Sequence, residues 1–173
     1  GQVAFMHSSD TAKTKRYSLY YFQQSIVHVA DTADTRLPAG FVPGEHCKVY
    51  FSEDAGKLYF GIAPAPLPEV KDTLTDDEKA TVDIWHWRDP QLQPQQLNQL
   101  DEERKRSYLT VYHTRSGKLI PMADEMIRTV NTGFKGNGKF ALGFNSEPYQ
   151  VEASWRGNRY RDVYLINNET GER

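Results

Sequence analysis

The sequence predicts an all-β fold made of antiparallel units that stack on one another. Three observations carry that expectation. Aromatic residues make up 12% of the chain and include ten Tyr, and they cluster with Val and Ile in short runs. That palette suits pleated, half-buried strands rather than helices. The phrase Ala55-Gly56-Lys57-Leu58-Tyr59-Phe60-Gly61-Ile62 returns as Asn137-Gly138-Lys139-Phe140-Ala141-Leu142-Gly143-Phe144, each time a turn Gly, a Lys and a short apolar run. Two further signals, Arg115-Ser116-Gly117 and Glu169-Thr170-Gly171, follow strand-like runs and read as hairpin turns. A repeated strand–turn–strand unit cannot bury its faces alone and must stack on neighbours.

The elements follow in order. Residues 1–15 are polar and read as a flexible segment, apart from Val3-Ala4-Phe5. Residues 16–22 and 25–30 are aromatic or β-branched runs that read as a strand pair, and 31–44 carries the Asp, Thr, Pro and Gly of a loop. Lys48-Val49-Tyr50-Phe51 is a strand entering the turn Ser52-Glu53-Asp54-Ala55-Gly56, where Ser and Asp cap backbone groups and Gly56 is expected to take the positive φ. Residues 57–63 return from it. The Pro-rich, acidic stretch 64–79 belongs at the surface, and 82–87 is the next strand.

Composition then changes. Residues 91–106 are rich in Gln, Glu, Leu and Arg; Leu92, Leu97 and Leu100 fall close to one face, and Pro94 sits where a helix start tolerates it. This is the one short helical insertion predicted. Residues 107–114 and 118–122 form the hairpin around Ser116-Gly117, residues 127–132, 139–145 and 161–167 are strands, and 146–157 reads as a long polar loop.

Each unit runs strand, turn, apolar strand, long connection, aromatic strand and a Gly turn into a further strand, which is the blade pattern of a β-propeller. The spacing between Gly56 and Gly138 exceeds the roughly 40–45 residues of a usual blade, so the first copy must carry insertions. A partial propeller therefore follows for 16–173: the end of one blade over 16–44, a blade with insertions over 45–126, and an incomplete blade over 127–173. The opening Gly1 reads as a protease scar, and the turn at Glu169-Thr170-Gly171 anticipates a strand beyond Arg173, so the chain reads as a segment of something longer.

Bulk properties exclude several functions. A net charge of −2 gives no electrostatic case for nucleic acid or an anionic membrane, and no apolar run is long enough to span a bilayer. Cys47 is the only cysteine, which rules out an intramolecular disulfide, and His7, His28, His46, His86 and His113 show no metal spacing. Asp76-Asp77-Glu78 lacks the alternating ligands of a calcium loop, so no metal and no cofactor is expected. Glu102-Glu103 sits among Lys and Arg and reads as surface ion pairs. Trp85-His86-Trp87 places both tryptophans on one strand face. Core packing between stacked units explains them first; a ligand platform of Trp85, Trp87 and Trp155 is the alternative.

Ser52-Glu53-Asp54-Ala55-Gly56-Lys57 resembles the Ser-Pro-Asp-Gly-Lys signature of WD40-like and TolB-like propeller repeats, with Glu for Pro and Ala55 inserted. Val82-Asp83-Ile84-Trp85-His86-Trp87-Arg88-Asp89-Pro90 with Leu92-Gln93-Pro94-Gln95-Gln96, and Gly143-Phe144-Asn145-Ser146-Glu147-Pro148-Tyr149, are similar to the propeller region of secreted bacterial serine peptidases of the prolyl oligopeptidase (S9) family. The likeness runs from about Arg16 to Arg173. It implies a non-catalytic propeller segment that packs with the remaining propeller blades of the same polypeptide and gates the access of short peptide substrates to its α/β-hydrolase domain, located in the periplasm or secreted. No Gly-x-Ser-x-Gly elbow occurs, so the family's Ser-Asp-His triad has no matching positions and no catalytic residue is expected here. A self-contained ligand- or protein-binding module and a glycoside-active propeller are the alternatives. Exposed blade faces would make the isolated segment self-associate.

Overall fold

A computed structural model describes residues 1–11, 14–67, 75, 82, 86 and 88–173. The chain is mostly antiparallel β-sheet with few helices, as predicted. The predicted strand over 82–87, apart from Val82 and His86, and most of the predicted surface stretch 64–79 lie outside the described residues.

Among the described residues three sheets form in chain order. β1 (Val3–His7), β2 (Ser18–Phe22) and β3 (Ile26–Ala30) make the first, in the order β1-β2-β3. The central sheet is built from β4 (Phe41–Pro43), β5 (Tyr50–Phe51), β6 (Lys57–Pro64), β7 (Tyr108–His113) and β8 (Leu119–Pro121). β4 and β5 share one flank of β6, so it is a meander of four positions, β4/β5-β6-β7-β8. β9 (Thr129–Asn131), β10 (Phe140–Asn145) and β11 (Asp162–Asn167) make the third, in the order β11-β10-β9.

Side-chain alternation along β6 explains how the sheets stack. Leu58, Phe60 and Ile62 point to one side and pack with Leu19, Tyr21 and Val29 of the first sheet. Tyr59 points to the other and packs, with Val111 and Ile120, against Ala141 and Ile166 of the third. β6 is thus apolar on both faces, the pattern of a strand covered twice. Where β6 passes beneath Cys47 and Ser107, only Gly61 fits. A Cβ there would collide with Cys47 Cβ and lie 2.9 Å from both Cys47 Sγ and Ser107 Cβ.

The edges of the stack are held by polar contacts. Arg36 bridges two sheets, donating from Nη2 to the Val29 carbonyl and from Nη1 to the Gly117 carbonyl at 2.9 Å. The Asp34 carboxylate holds the guanidinium in place, and those hydrogen bonds keep its pKa below the usual carboxylate range. On the other side the turn before β6 interlocks with the turn before β10. Lys57 Nζ donates to the carbonyls of Asn137 and Gly138 at 2.7 and 2.8 Å, and Lys135 pairs with Glu53 at 2.7 Å.

Several expectations are corrected. Residues 1–15 are not uniformly loose: Val3–His7 is a full strand, because Ala4 and Met6 pack inward while Phe5 stacks on Tyr20 with ring centroids 5.6 Å apart. Residues 146–157 are not a plain loop but a 3-10 turn (Glu147–Tyr149) running into α2 (Gln150–Arg156). Pro148 at the start and Gly157 at the end, with φ of 72°, are the chain's own start and stop signals, and a Glu152–Arg156 pair at 2.7 Å spans the last turn. The predicted helix forms as α1 (Gln93–Arg104), but its leucines stay exposed and none of its residues is buried. Its two leucines, Leu97 and Leu100, among Gln and charged residues give it too little apolar surface to cover. At the Ser52 turn the positive φ falls on the inserted Ala55, at 54°, and not on Gly56.

Two tests follow. Gly61→Ala should lower stability by about 1–3 kcal/mol through overpacking, and Cys47→Gly in the same chain should recover part of it; additive losses in a thermal-melt double-mutant cycle would overturn this contact. Because folding lowers the Asp34 pKa, its contribution is present in full above the ordinary carboxylate range and fades as pH falls through its lowered value. Asp34→Asn should therefore destabilise at pH 7 by about 1–2 kcal/mol, and denaturant titrations should show the gap closing in acid.

Candidate functional site

The hairpins fix which strands correspond between the central and third sheets. Gly117 donates to the His113 carbonyl and Gly171 to the Asn167 carbonyl, both at 2.8 Å, and both glycines have positive φ. The N–H groups of His113 and Asn167 likewise donate across the turn to Lys118 and Glu172 at 2.8 Å. His113 thus corresponds to Asn167. Through the ladders, Leu58 corresponds to Ala141 and Ile62 to Asn145, while Tyr108 corresponds to Asp162. The long connections β6–β7 and β10–β11 therefore leave from equivalent strand ends and share one rim.

That rim carries a groove. α1 comes from the first connection and α2 from the second, and between them lie two adjoining hollows of about 550 and 470 Å³. Gln91, Gln99, Ser146, Gln150, Arg159 and Tyr160 line both. The 550 Å³ hollow reaches the ends of β9 and β10, with Arg106, Arg128 and Arg161 around it.

The charges are partly spoken for. Arg106 is gripped by Glu103 through two hydrogen bonds, that from Nε being 2.7 Å, and this contact lowers the Glu103 pKa. Arg128 pairs with Glu147 at 3.1 Å. The Arg161 guanidinium lies 4.4 Å from the centroid of the Phe144 ring, a cation–π contact. Tyr149 donates its hydroxyl to Asp162 at 2.6 Å, tying the start of α2 to β11, and the partner carboxylate raises the phenol pKa.

Chemically the groove offers amide, hydroxyl, guanidinium and carboxylate groups, a polar set able to donate to and accept from a polar ligand. Its lining includes Ser146, Ser154 and the carboxylates of Glu102, Glu103 and Glu147, but neither His nor Cys. No cluster of His, Cys, Asp or Glu that could hold a metal ion occurs among the described residues, and no helix among them is long and apolar enough to cross a membrane.

Of the predicted site residues, Trp155 lies on α2 with 85% of its surface exposed, outside the groove lining. Trp85 and Trp87 lie outside the described residues. The structure thus supplies one of the three platform residues and does not bring it into the groove. The arginines were not singled out from sequence; the Arg156-Gly157-Asn158-Arg159-Tyr160-Arg161 run was the signal available. Comparison of the sequence with known proteins finds no matching family model and no similar curated protein.

Removing the Tyr149–Asp162 hydrogen bond should loosen α2. Tyr149→Phe is expected to cost about 1 kcal/mol locally, roughly fivefold in the population of the opened segment. Limited trypsinolysis should then cut faster at Arg156, Arg159 and Arg161; an unchanged rate would show that this bond does not hold the rim.

Proposed function

We propose that the chain supplies stacked blades of a β-propeller, a non-catalytic unit that shapes and gates access to a hydrolase domain elsewhere in a longer polypeptide. The observation that carries the reading is the central sheet, a meander of four positions covered on both faces by sheets of the same kind. The Ser52–Lys57 turn supports the propeller-repeat reading, and the resemblance to prolyl oligopeptidase-family propellers, carried by residues 82–90, 92–96 and 143–149, supplies the peptidase context and the periplasmic or secreted location. Both long connections fall on one rim, where their helices flank a polar groove. A rim of that kind filters by size: short peptides pass, while folded segments are too large to reach the chemistry behind it.

Gating makes two demands. The reading frame carrying this chain should continue into a segment with a Gly-x-Ser-x-Gly elbow. In that longer protein, Gln99→Cys with Gln150→Cys, in a Cys47→Ala background, should tether α1 to α2 under oxidising conditions. Hydrolysis of longer peptides should then fall more than that of dipeptide-sized substrates, and a reductant should reverse the effect. A frame lacking any hydrolase segment, or a tether that leaves the length preference unchanged, overturns the proposal.

A further inference from the structure

At the end of β10 the third sheet carries a polar side chain where the central sheet carries a core one. By the hairpin correspondence Asn145 occupies the position of Ile62, and both are buried, at 8% and 1% exposure. A buried amide is costly unless its hydrogen bonds are made. Asn145 makes one: its Oδ1 accepts from the Glu147 N–H at 3.0 Å. Its Nδ2 has no partner among the described residues, and the side chain lines the 550 Å³ hollow. The surrounding charges do not cancel. Four arginines and three glutamates line the hollow, which leaves one net positive charge. Arg106 is neutralised by Glu103 and Arg128 by Glu147. Among the described residues Arg159 has no ion pair or hydrogen bond, and Arg161 has the Phe144 ring in place of a carboxylate. Between these two arginines Tyr160 meets the Tyr149 ring edge-on, with centroids 6.1 Å apart, which pins the segment to the start of α2.

We propose that this hollow is a carboxylate-binding site: Arg159, Arg161 and the Asn145 amide hold a single carboxylate whose short, mostly neutral body lies along the groove. Charge decides among the oxyanions. One surplus positive charge matches a monoanion, whereas a phosphate monoester, at about −1.5 to −2 near pH 7, leaves the site net negative. Guanidinium groups meet a planar carboxylate with paired N–H donors, and the Asn145 N–H adds a donor from the floor. Met126, Phe144 and Tyr160 supply apolar surface for the rest of the ligand, and the volume lies within the range of small-ligand sites. Glu102, which has no ion pair among the described residues, stands on α1 in the same lining and opposes a second negative charge. A free carboxylic acid and the C-terminus of a short peptide present this same chemistry.

The proposal rests on the reading of this rim as the face that admits a ligand, and it is measured as binding, without hydrolysis. Titration calorimetry on the full chain should show N-acetyl-trialanine binding as the free acid, with its C-terminal amide weaker by about tenfold or more. N-acetylation leaves the carboxylate as the probe's one charge. N-acetylalanine separates the two sources: equal or tighter binding identifies a free acid as the occupant, and affinity that rises with length identifies a peptide end, each in agreement with the site. Arg159→Gln and Asn145→Asp should each weaken the free acid by about tenfold or more. Asn145→Asp keeps the oxygen that accepts from Glu147 and puts a negative charge in place of the donor. Glu102→Gln, which removes an opposing carboxylate, should tighten binding by about threefold. Circular dichroism checks each fold; should Asn145→Asp unfold, the exposed Arg161→Gln takes its place. An amide that binds as tightly as the acid, inorganic phosphate that binds more tightly than either, binding that Arg159→Gln leaves unchanged or Glu102→Gln weakens, or no binding up to about 10 mM overturns the site. The tethered-groove experiment reads substrate length in hydrolysis and depends on none of these outcomes, so the two proposals fail separately.

Discussion

The structure depends on one strand being buried on both of its faces. β6 sits in the middle of the middle sheet, and Leu58, Tyr59, Phe60 and Ile62 are all nearly or fully inaccessible. A strand in that position has no solvent side, so every residue along it must fit a neighbour. Tyr59 shows what that requires of a polar group. Its ring stacks on Tyr50 with centroids 5.0 Å apart, and its hydroxyl, removed from water, donates to the Gly136 carbonyl at 2.7 Å. Burial also pushes the phenol's pKa far above its ordinary value, so it stays a neutral donor. A side chain of the central sheet thereby fixes a turn of the third. Gly136 must in turn be Gly, since its φ is 66° and a Cβ would lie 3.0 Å from the Tyr59 ring.

The same junction changes the meaning of the doubled Gly-Lys phrase. Aligned by sequence, Leu58 stands opposite Phe140 and Gly61 opposite Gly143. The hairpins place Leu58 opposite Ala141, one residue along. In a strand a slip of one residue exchanges the faces, so the two glycines do different work. Gly61 lies on the face turned to the third sheet and makes room for Cys47 and Ser107, whereas Gly143 faces the central sheet, where a Cβ would press on Ile127 and Ile166. The two phrases meet as partners: Lys57 of one holds the carbonyls of Asn137 and Gly138 in the other.

What was legible in the sequence was local. Aromatic and β-branched runs located the strands, and the Gly117 and Gly171 turns gave hairpins with the same hydrogen bonds. Register was not legible, because it is set by cross-sheet packing and turn length, neither of which shows in a repeated phrase. The positive φ at Ala55 was hidden for a related reason. Propensity favours Gly56, but Ser52 and Asp54 fix the turn around Gly56 through a 2.6 Å side-chain bond and a bond from the Gly56 N–H to Asp54, and the strain passes to the residue before it. α2 was legible in principle from Pro148 and Gly157, but its polar surface outweighed those signals. The groove was the least legible part, since it exists only where two connections far apart in sequence reach the same rim.

Faces and rim divide the work along physical lines. The internal sheet faces are apolar, so substitution there acts through packing against the neighbouring sheet. The rim tolerates variation because α1 and α2 bury none of their residues and are held by a few hydrogen bonds and ion pairs, such as Tyr149 to Asp162 and Arg128 to Glu147. Elements with so little burial open at low cost while the stack beneath them stays closed. A rigid stack carrying weakly held helices at one edge can admit a ligand between those helices without disturbing any sheet. Under the proposed gating role, that capacity would come from the shortage of burial at the rim as much as from the polar groups that line it.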